Sequence, residues 1–547
     1  MDRRQLLSAA LTSAGLAAIG GPRSTAQSAA PNLPGSIWDV RQFGAKGDST
    51  TLDTATLQAA IDACAQAGGG FVFFPKGTYL SGSLILKNNV TLYLAPEATL
   101  LGSPDGADYP AHPYIARDRD TGGYEVEALI YAEGASNIGI EGPGIIDGNG
   151  KTFPKRKVTN PEVSVGKRPR LLYWRNCHNV RVRDVTLRNS SCWTAHFVLC
   201  DKLVLQGIAV FSDLFINQDG IDIDSCQNTV VSDCFVDTVD DAIVIKSSHP
   251  QPTKNLTITN CVLTTQCGAI KFGSQSVGGF NNISISNCAI YEAGMGGVKI
   301  EAVDGGDLED IAISNLVMHN VAAPISILLG NRAEHAGFPD LTLPRPISRL
   351  RNIVITGIRA TVADEGDKWR RGATCLIAGI PGHPIQGLTI SDVSITYPGG
   401  ATPAEADRLD IPEHENEYPD NTMFGVLPAY AFYLRHVRGI SLNNVRIELA
   451  TPDPRSALIA EDVEDLELTG FRAAGSGDHP LIRLRNTQGA LLQGCRALDL
   501  CNTFLQVDGN SSDIALLAND LRKVKTITQS GDGFTGKIAQ SGNLTAS

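Results

Sequence analysis

The segment Asn217-Gln-Asp-Gly-Ile-Asp-Ile-Asp-Ser-Cys226 sets three carboxylates, Asp219, Asp222 and Asp224, within six residues. Val239-Asp-Asp-Ala-Ile-Val-Ile-Lys246 adds Asp240 and Asp241, and Asp240 follows Asp219 by 21 residues. Neighbouring carboxylates repel unless they are hydrated, separated or split in protonation. Glycoside hydrolysis is a chemistry that needs them close. One carboxylic acid protonates the leaving oxygen, and a second carboxylate activates water or attacks the sugar. Taken alone, an Asp-Asp pair is ordinarily a turn, and a calcium site also gathers acids. The choice rests on whether the chain brings the two segments together.

A repeat does so. One seven-residue template carries apolar residues at its second, fourth and usually seventh positions. It often opens with Asn, Asp or Gly and has a turn-prone pair at positions five and six. It starts at Asn179, Lys202, Asn228, Asn255, Asn282, Asp310, Asn352, Gly387, Gly439, Asp465, Gly489 and, weakly, Asp513, with faint copies at Asn89 and Asn137. The first five intervals run from 23 to 28 residues and the last three are 26, 24 and 24. Apolar–polar alternation makes short strands with one buried face. A fixed period of this size makes a solenoid. No helical pattern separates the copies, and a propeller blade needs about twice the period. An all-β parallel β-helix remains, and in it Asp219 and Asp240 lie close to one coil apart. The template's seventh position reads Val185, Ile208, Cys234, Cys261, Cys288, Leu316, Ile358 and Val393, a stacked internal ladder in which cysteine acts as a small hydrophobe. No Cys-x-x-Cys occurs, which disfavours zinc, while Cys495 and Cys501 are open to a local pairing.

A β-helix exposes strand edges at its ends and needs covers. Residues 54–66 provide one, a helix with Leu57, Ala60, Ile61 and Cys64 on one face, Asp53 at its N-cap and Gly68 to Gly70 beyond it. Longer gaps of 42, 35 and 52 residues follow Asp310, Asn352 and Gly387. They mark loop insertions around 325–345 and 396–430, the latter rich in acids and proline.

The 547 residues are 42% hydrophobic and 19% charged, with 55 glycines and a net charge of -12. That charge argues against a nucleic-acid partner. Arg3 and Arg4 before the apolar Leu6–Ile19 stretch, with Ser24-Thr25-Ala26 after it, read as an export signal over residues 1–26 of the twin-arginine type. The stretch is too short to span a membrane, so 27–547 is expected outside the cytoplasm, periplasmic or extracellular, as one soluble, monomeric β-helix domain.

With these segments in view, the chain resembles glycoside hydrolase family 28, the polygalacturonase and rhamnogalacturonan hydrolase family. Val40-Arg-Gln-Phe-Gly-Ala-Lys-Gly-Asp48, Phe74-Pro-Lys-Gly-Thr-Tyr79, Gly144-Ile-Ile-Asp-Gly148 and Asn189-Ser-Ser-Cys-Trp-Thr-Ala-His196 are similar to its motifs, as are the Asn-x-Asp and Asp-Asp segments. The resemblance implies a right-handed parallel β-helix and inverting hydrolysis of a plant cell-wall polysaccharide without metal or cofactor. It implies Asp240 as general acid, Asp219 and Asp241 as the pair that holds and activates water, and Asn217 as an ordering residue. The carboxyl groups of an inverting pair stand roughly 6.5–9.5 Å apart. Two motifs depart from the family. The usual Gly-His-Gly reads Gln266-Cys-Gly-Ala-Ile-Lys-Phe-Gly-Ser274, and the usual Arg-Ile-Lys reads Lys299-Ile-Glu301. One cation is kept and one has become an acid, which weakens the case for galacturonate and leaves rhamnogalacturonan-like or otherwise substituted pectin open.

Lys246 and Lys271, on neighbouring coils, are candidates to replace the lost cations, against solvated lysines. Glu301 is a substrate contact or a partner of Lys299. Trp193 and His196 suit stacking and hydrogen bonding to a sugar, against a packed aromatic with a satisfied histidine. Arg332 and Arg435-His436 are outer-cleft candidates. Two other functions compete: a β-helix polysaccharide lyase, which wants a free basic residue and often calcium, and a carbohydrate-binding β-helix without activity.

Overall fold

The computed structural model describes residues 36–113, 125–153, 168–214, 216–332, 346–364, 372–475 and 479–546. The predicted export segment lies outside them. The chain winds as a right-handed parallel β-helix of three strands per coil, such as Ala195–Val198, Asp201–Gln206 and Ala209–Ser212, each pairing in parallel with its counterpart one coil on.

The template's fourth position forms one column from Leu92 through Ile140, Val182, Leu205, Val231, Ile258, Ile285, Ile313, Ile355, Ile390, Leu442 and Leu468 to Leu492 and Leu516, with no slip in register. These residues are all buried in one continuous core. A one-residue slip would turn each of them outward, so burial fixes the register. Cutting one inward isoleucine to alanine costs about 2–5 kcal/mol.

The preference for Asn, Asp and Gly has a backbone cause. Every first position, from Asn89 to Asp513, has a φ between 53° and 71°. From Asp184 onward every sixth position lies between 52° and 69°. These left-handed residues bend the chain into and out of each strand, a conformation that Asn, Asp and Gly tolerate best. Lys202 and Ala518 hold it without such help. Stacking then lines up the side-chain amides, with Asn137 donating to Asn89, Asn179 to Asn137, Asn255 to Asn228 and Asn282 to Asn255 at 2.7–2.9 Å. Cys234, Cys261 and Cys288 stack inside as predicted. All twelve cysteines are free, Cys495 and Cys501 included.

The predicted cap is the helix Thr54–Gln66, which buries Leu57, Ala60, Ile61 and Cys64 over the first coils. Asp53 occupies the N-cap, but its carboxylate accepts from Lys46 N and Gly47 N and does not cap the helix. Among the described residues no helix is long and apolar enough to cross a membrane. The first predicted insertion starts later than expected: Ile325–Leu329 is a regular strand, and 333–345 lies outside the described residues. The second follows strand Ile385–Tyr397 and contains the helix Pro403–Ala406, closed by a Thr402–Glu405 capping box. It packs Ile411, Phe424 and Leu427 on Leu328, Leu376, Tyr433 and Ile459, covering the outer face of one sheet.

Candidate active site

That sheet carries the acids. One outward column reads Tyr131, Tyr173, His196, Asp222, Val244, Lys271, Lys299, Ser326, Leu376, Tyr433 and Ile459. Its ends are aromatic or apolar and covered by other chain segments. Its middle is charged.

Asp219 and Asp240 sit in successive turns that enter the strands Ile221–Asp224 and Ile243–Ser247. The turns are pinned by backbone bonds from Thr194 to Asp219 and from Gly220 to Asp241, at 2.8 and 2.9 Å. Thr238 and Thr265 hydroxyls both donate to the Asp240 carbonyl at 2.6 Å, which fixes its backbone. The half-buried Asp240 carboxylate accepts from Asn217 N at 2.9 Å and Asp241 N at 3.0 Å. Asn217 therefore orders the site through its main chain, held at φ 64°.

Asp219 and Asp241 are buried on either side and each meets a lysine. Lys246 Nζ stands 3.4 Å from Asp219 and 3.3 Å from Asp222, 4.2 Å above the Trp193 ring. Burial first, then the charges of Asp222 and Asp240, push the Asp219 carboxyl well up. Burial likewise lifts Asp222 to about 7, against the pull of Lys246. Asp241 behaves oppositely. Burial pushes it up, yet Lys271, Lys299 and Lys246 outweigh burial and hold it at about 2. It accepts from Gly268 N and Lys271 Nζ, both at 2.9 Å. The Cys267 thiol lies with the Asp240 and Asp241 carboxylates inside 4.8 Å, a grouping a cation can use. Burial and the two aspartates push that thiol well up, so it stays protonated, and Lys271 already supplies Asp241 with a counter-charge.

The sequence model of the Glycosyl hydrolases family 28 matches residues 113–412, more than half of the chain and all of these acids. The chain belongs to that family. A Vitis vinifera protein, "Probable polygalacturonase", is 29% identical over 380 residues, 64% of this chain and 73% of the relative. The exo-poly-alpha-D-galacturonosidase of Dickeya chrysanthemi is 32% identical over 250 residues, 38% of this chain and 41% of the relative. The solved family 28 exopolygalacturonase of Yersinia enterocolitica superposes with a TM-score of 0.61 at 22% identity, over 79% of this chain and 78% of that one, which shows the shared fold.

In this family 28 chain an open pocket is lined by the predicted Trp193, Asn217, Asp219, Asp240, Asp241, Lys246 and Lys271. Other predicted contacts lie behind it. His196 is 0% exposed, so it cannot meet a sugar. Its Nε2 faces Asp224 at 3.3 Å, while the Ser248 N–H and hydroxyl donate to Asp224 at 2.7 and 2.5 Å. Burial holds His196 neutral, at about 4. Lys299 and Glu301, 1% and 0% exposed, also sit beneath the wall rather than on it. Arg332 holds Asp304 through Nε at 3.0 Å and Ser274 O through a terminal nitrogen at 2.9 Å, a loop clamp rather than an outer subsite. Arg435 and His436 bind Glu413 of the second insertion, and His436 also binds Asp462 at 2.6 Å, so they fasten the insertion to the sheet.

Three lining residues escaped the sequence reading: Ser274, Gln275 and Tyr418. Ser274 closes an altered motif already singled out, and Gln275 follows it directly. Tyr418 comes from the second insertion and puts its hydroxyl 3.3 Å from Lys271 Nζ. No local pattern foretells that contact.

Proposed function

We propose that this family 28 enzyme hydrolyses glycosidic bonds of pectin-type polysaccharide with inversion. The reading is carried by the asymmetry of the three aspartates: Asp240 is half-exposed at the pocket, while Asp219, one coil before it, and Asp241, beside it in the same turn, are buried, each against a lysine. Asp240 donates a proton to the leaving oxygen. Asp241, held ionised by Lys271, keeps a fixed negative charge beside the developing positive charge on the sugar. Asp219 holds the attacking water with Asp241 and takes its proton. Burial makes Asp219 a stronger base than a hydrated carboxylate, and Lys246 stabilises its ionised form. The relatives' names, polygalacturonase and exo-poly-alpha-D-galacturonosidase, support a pectic substrate. A lyase would need an unprotonated base, whereas Lys246 and Lys271 are both pushed up by the surrounding carboxylates and stay charged.

Purified protein on pectic oligosaccharides should release reducing ends with no ultraviolet absorbance of unsaturated sugar. Asp240→Asn should lower kcat by about 10²–10⁴-fold with an unchanged melting curve. Unsaturated product, or near-normal turnover by the variant, overturns the reading. Export by the twin-arginine route belongs to the same proposal: changing both Arg3 and Arg4 to Lys should hold the protein in the cytoplasm, and normal export of that variant counts against it.

A further inference from the structure

Glu301 is an anomaly. It is 0% exposed, and neither carboxylate oxygen makes a hydrogen bond. Burying a carboxylate without such bonds is costly unless cations stand nearby. Two do, both buried: Lys299 Nζ at 3.4 Å and Lys271 Nζ at 3.9 Å. Register explains the grouping, because Lys271 pairs with Lys299 in adjacent strands and Glu301 follows two residues on, pointing to the same face. Lys271 alone of the three reaches the pocket, and it already meets Asp241 at 2.9 Å. The two lysines are thus matched by two carboxylates, and Asp420 adds a further negative influence. This wall offers no net positive charge to a uronate carboxylate.

The rest of the wall tells the same story. Ser274, Gln275 and Tyr418 bring hydroxyl, amide and aromatic groups to the pocket. Gln275 Oε1 is buried and accepts no hydrogen bond. None of the three is a cationic side chain that would attract an ionised carboxylate.

We propose that Glu301 is a specificity-determining residue acting through Lys271: by cancelling the lysine pair behind the pocket, it makes the subsite beside Asp241 one for an uncharged sugar. The inference rests on the pectic reading above and narrows the substrate to a backbone that sets a neutral sugar next to the cleaved bond, as alternating rhamnose–galacturonate chains do.

The test measures binding in the Asp240→Asn background, so that it does not depend on turnover. Dissociation constants are compared for galacturonate oligosaccharides and for rhamnose–galacturonate oligosaccharides of equal length. The alternating oligosaccharide should bind more tightly. Adding Glu301→Gln should move the ratio of the two constants toward galacturonate by about tenfold, the effect of one uncompensated charge within about 4–6 Å. Glu301→Asp, which keeps the charge, should restore the original ratio. Lys299→Gln, should the glutamine variant fail to fold, should move the ratio the opposite way. An unchanged ratio in Glu301→Gln, or tighter galacturonate binding by the parent, overturns the proposal. Failure of the hydrolase reading would appear separately, as unsaturated product or no reducing ends from the wild type.

Discussion

Lys246 and Lys271 lie on neighbouring coils, both buried and both between two carboxylates, yet their surroundings reach opposite ends of the protonation range. Around Lys246, one ammonium meets both Asp219 and Asp222, the Arg170 charge adds a smaller pull on Asp222, and neither Asp222 oxygen makes a hydrogen bond. Asp222 is lifted to about 7. Around Lys271, a second cation, Lys299, joins, and Asp241 also takes a backbone N–H from Gly268. Asp241 is held at about 2. Burial is similar in both places, so the ratio of charges decides the outcome. A buried carboxylate with a full share of cation stays ionised, and where two carboxylates share one ammonium, one of them takes up a proton. The balanced cluster supplies a permanent charge to the site. The deficient cluster supplies a group that can change protonation near neutral pH.

The sharpest way to break this contrast is to remove each cation. Lys271→Met takes from Asp241 the ammonium that contacts it, leaving Glu301 to Lys299, and should cost about 3–5 kcal/mol in denaturant unfolding. Lys246→Met should cost clearly less at pH 6, because Asp222 can neutralise itself by binding a proton, and the gap between the two variants should narrow as pH rises. Equal losses at pH 6 would show that charge ratio is not what separates the clusters.

A smaller effect has a definite sign. Asp222 has a folded value of about 7 against an ordinary 3.8. The folded state therefore binds the proton more tightly, and stability contributed by the protonated group is lost as pH rises from about 4 through about 7. Asp222→Asn removes that loss and leaves Lys246 matched with Asp219 alone. At pH 8 the variant should be more stable than wild type by roughly 1–3 kcal/mol, and below pH 4 the difference should vanish. Thermal melts at the two pH values settle it, and destabilisation at pH 8 would mean that Lys246 needs both carboxylates.

Much of this was legible in the chain. The template positions foretold the inward column, the cysteine ladder and the one-coil spacing of Asp219 and Asp240, because alternation and backbone bends are local properties. The strands that bear the site were harder to read. Ile243–Ser247 and Gly296–Ala302 are buried on both faces, and a strand covered on both sides loses its alternation. Periodicity assigns His196, Lys299 and Glu301 to the outer face of the sheet, but it cannot tell that other segments bury that face. Tyr418 meets Lys271 across 147 residues of chain, a contact set by the docking of the insertion and by nothing in either segment alone.

That contact gives the mildest test of the same contrast. The Tyr418 hydroxyl touches the balanced cluster, so removing it asks whether Lys271 is held by charge or by the insertion. If charge holds it, Tyr418→Phe loses one hydrogen bond of about 1 kcal/mol while Asp241 keeps the ammonium in place. The insertion itself stays docked, since Ile411, Phe424 and Leu427 remain packed on the sheet and Glu413 remains bound to Arg435 and His436. The expected result is a loss of stability of no more than about 1 kcal/mol, with KM raised a few-fold and kcat little changed, because the ring still lines the pocket while one polar group at its rim is gone. A loss as large as that of Lys271→Met would instead make the insertion, not the two carboxylates, the support of the balanced cluster.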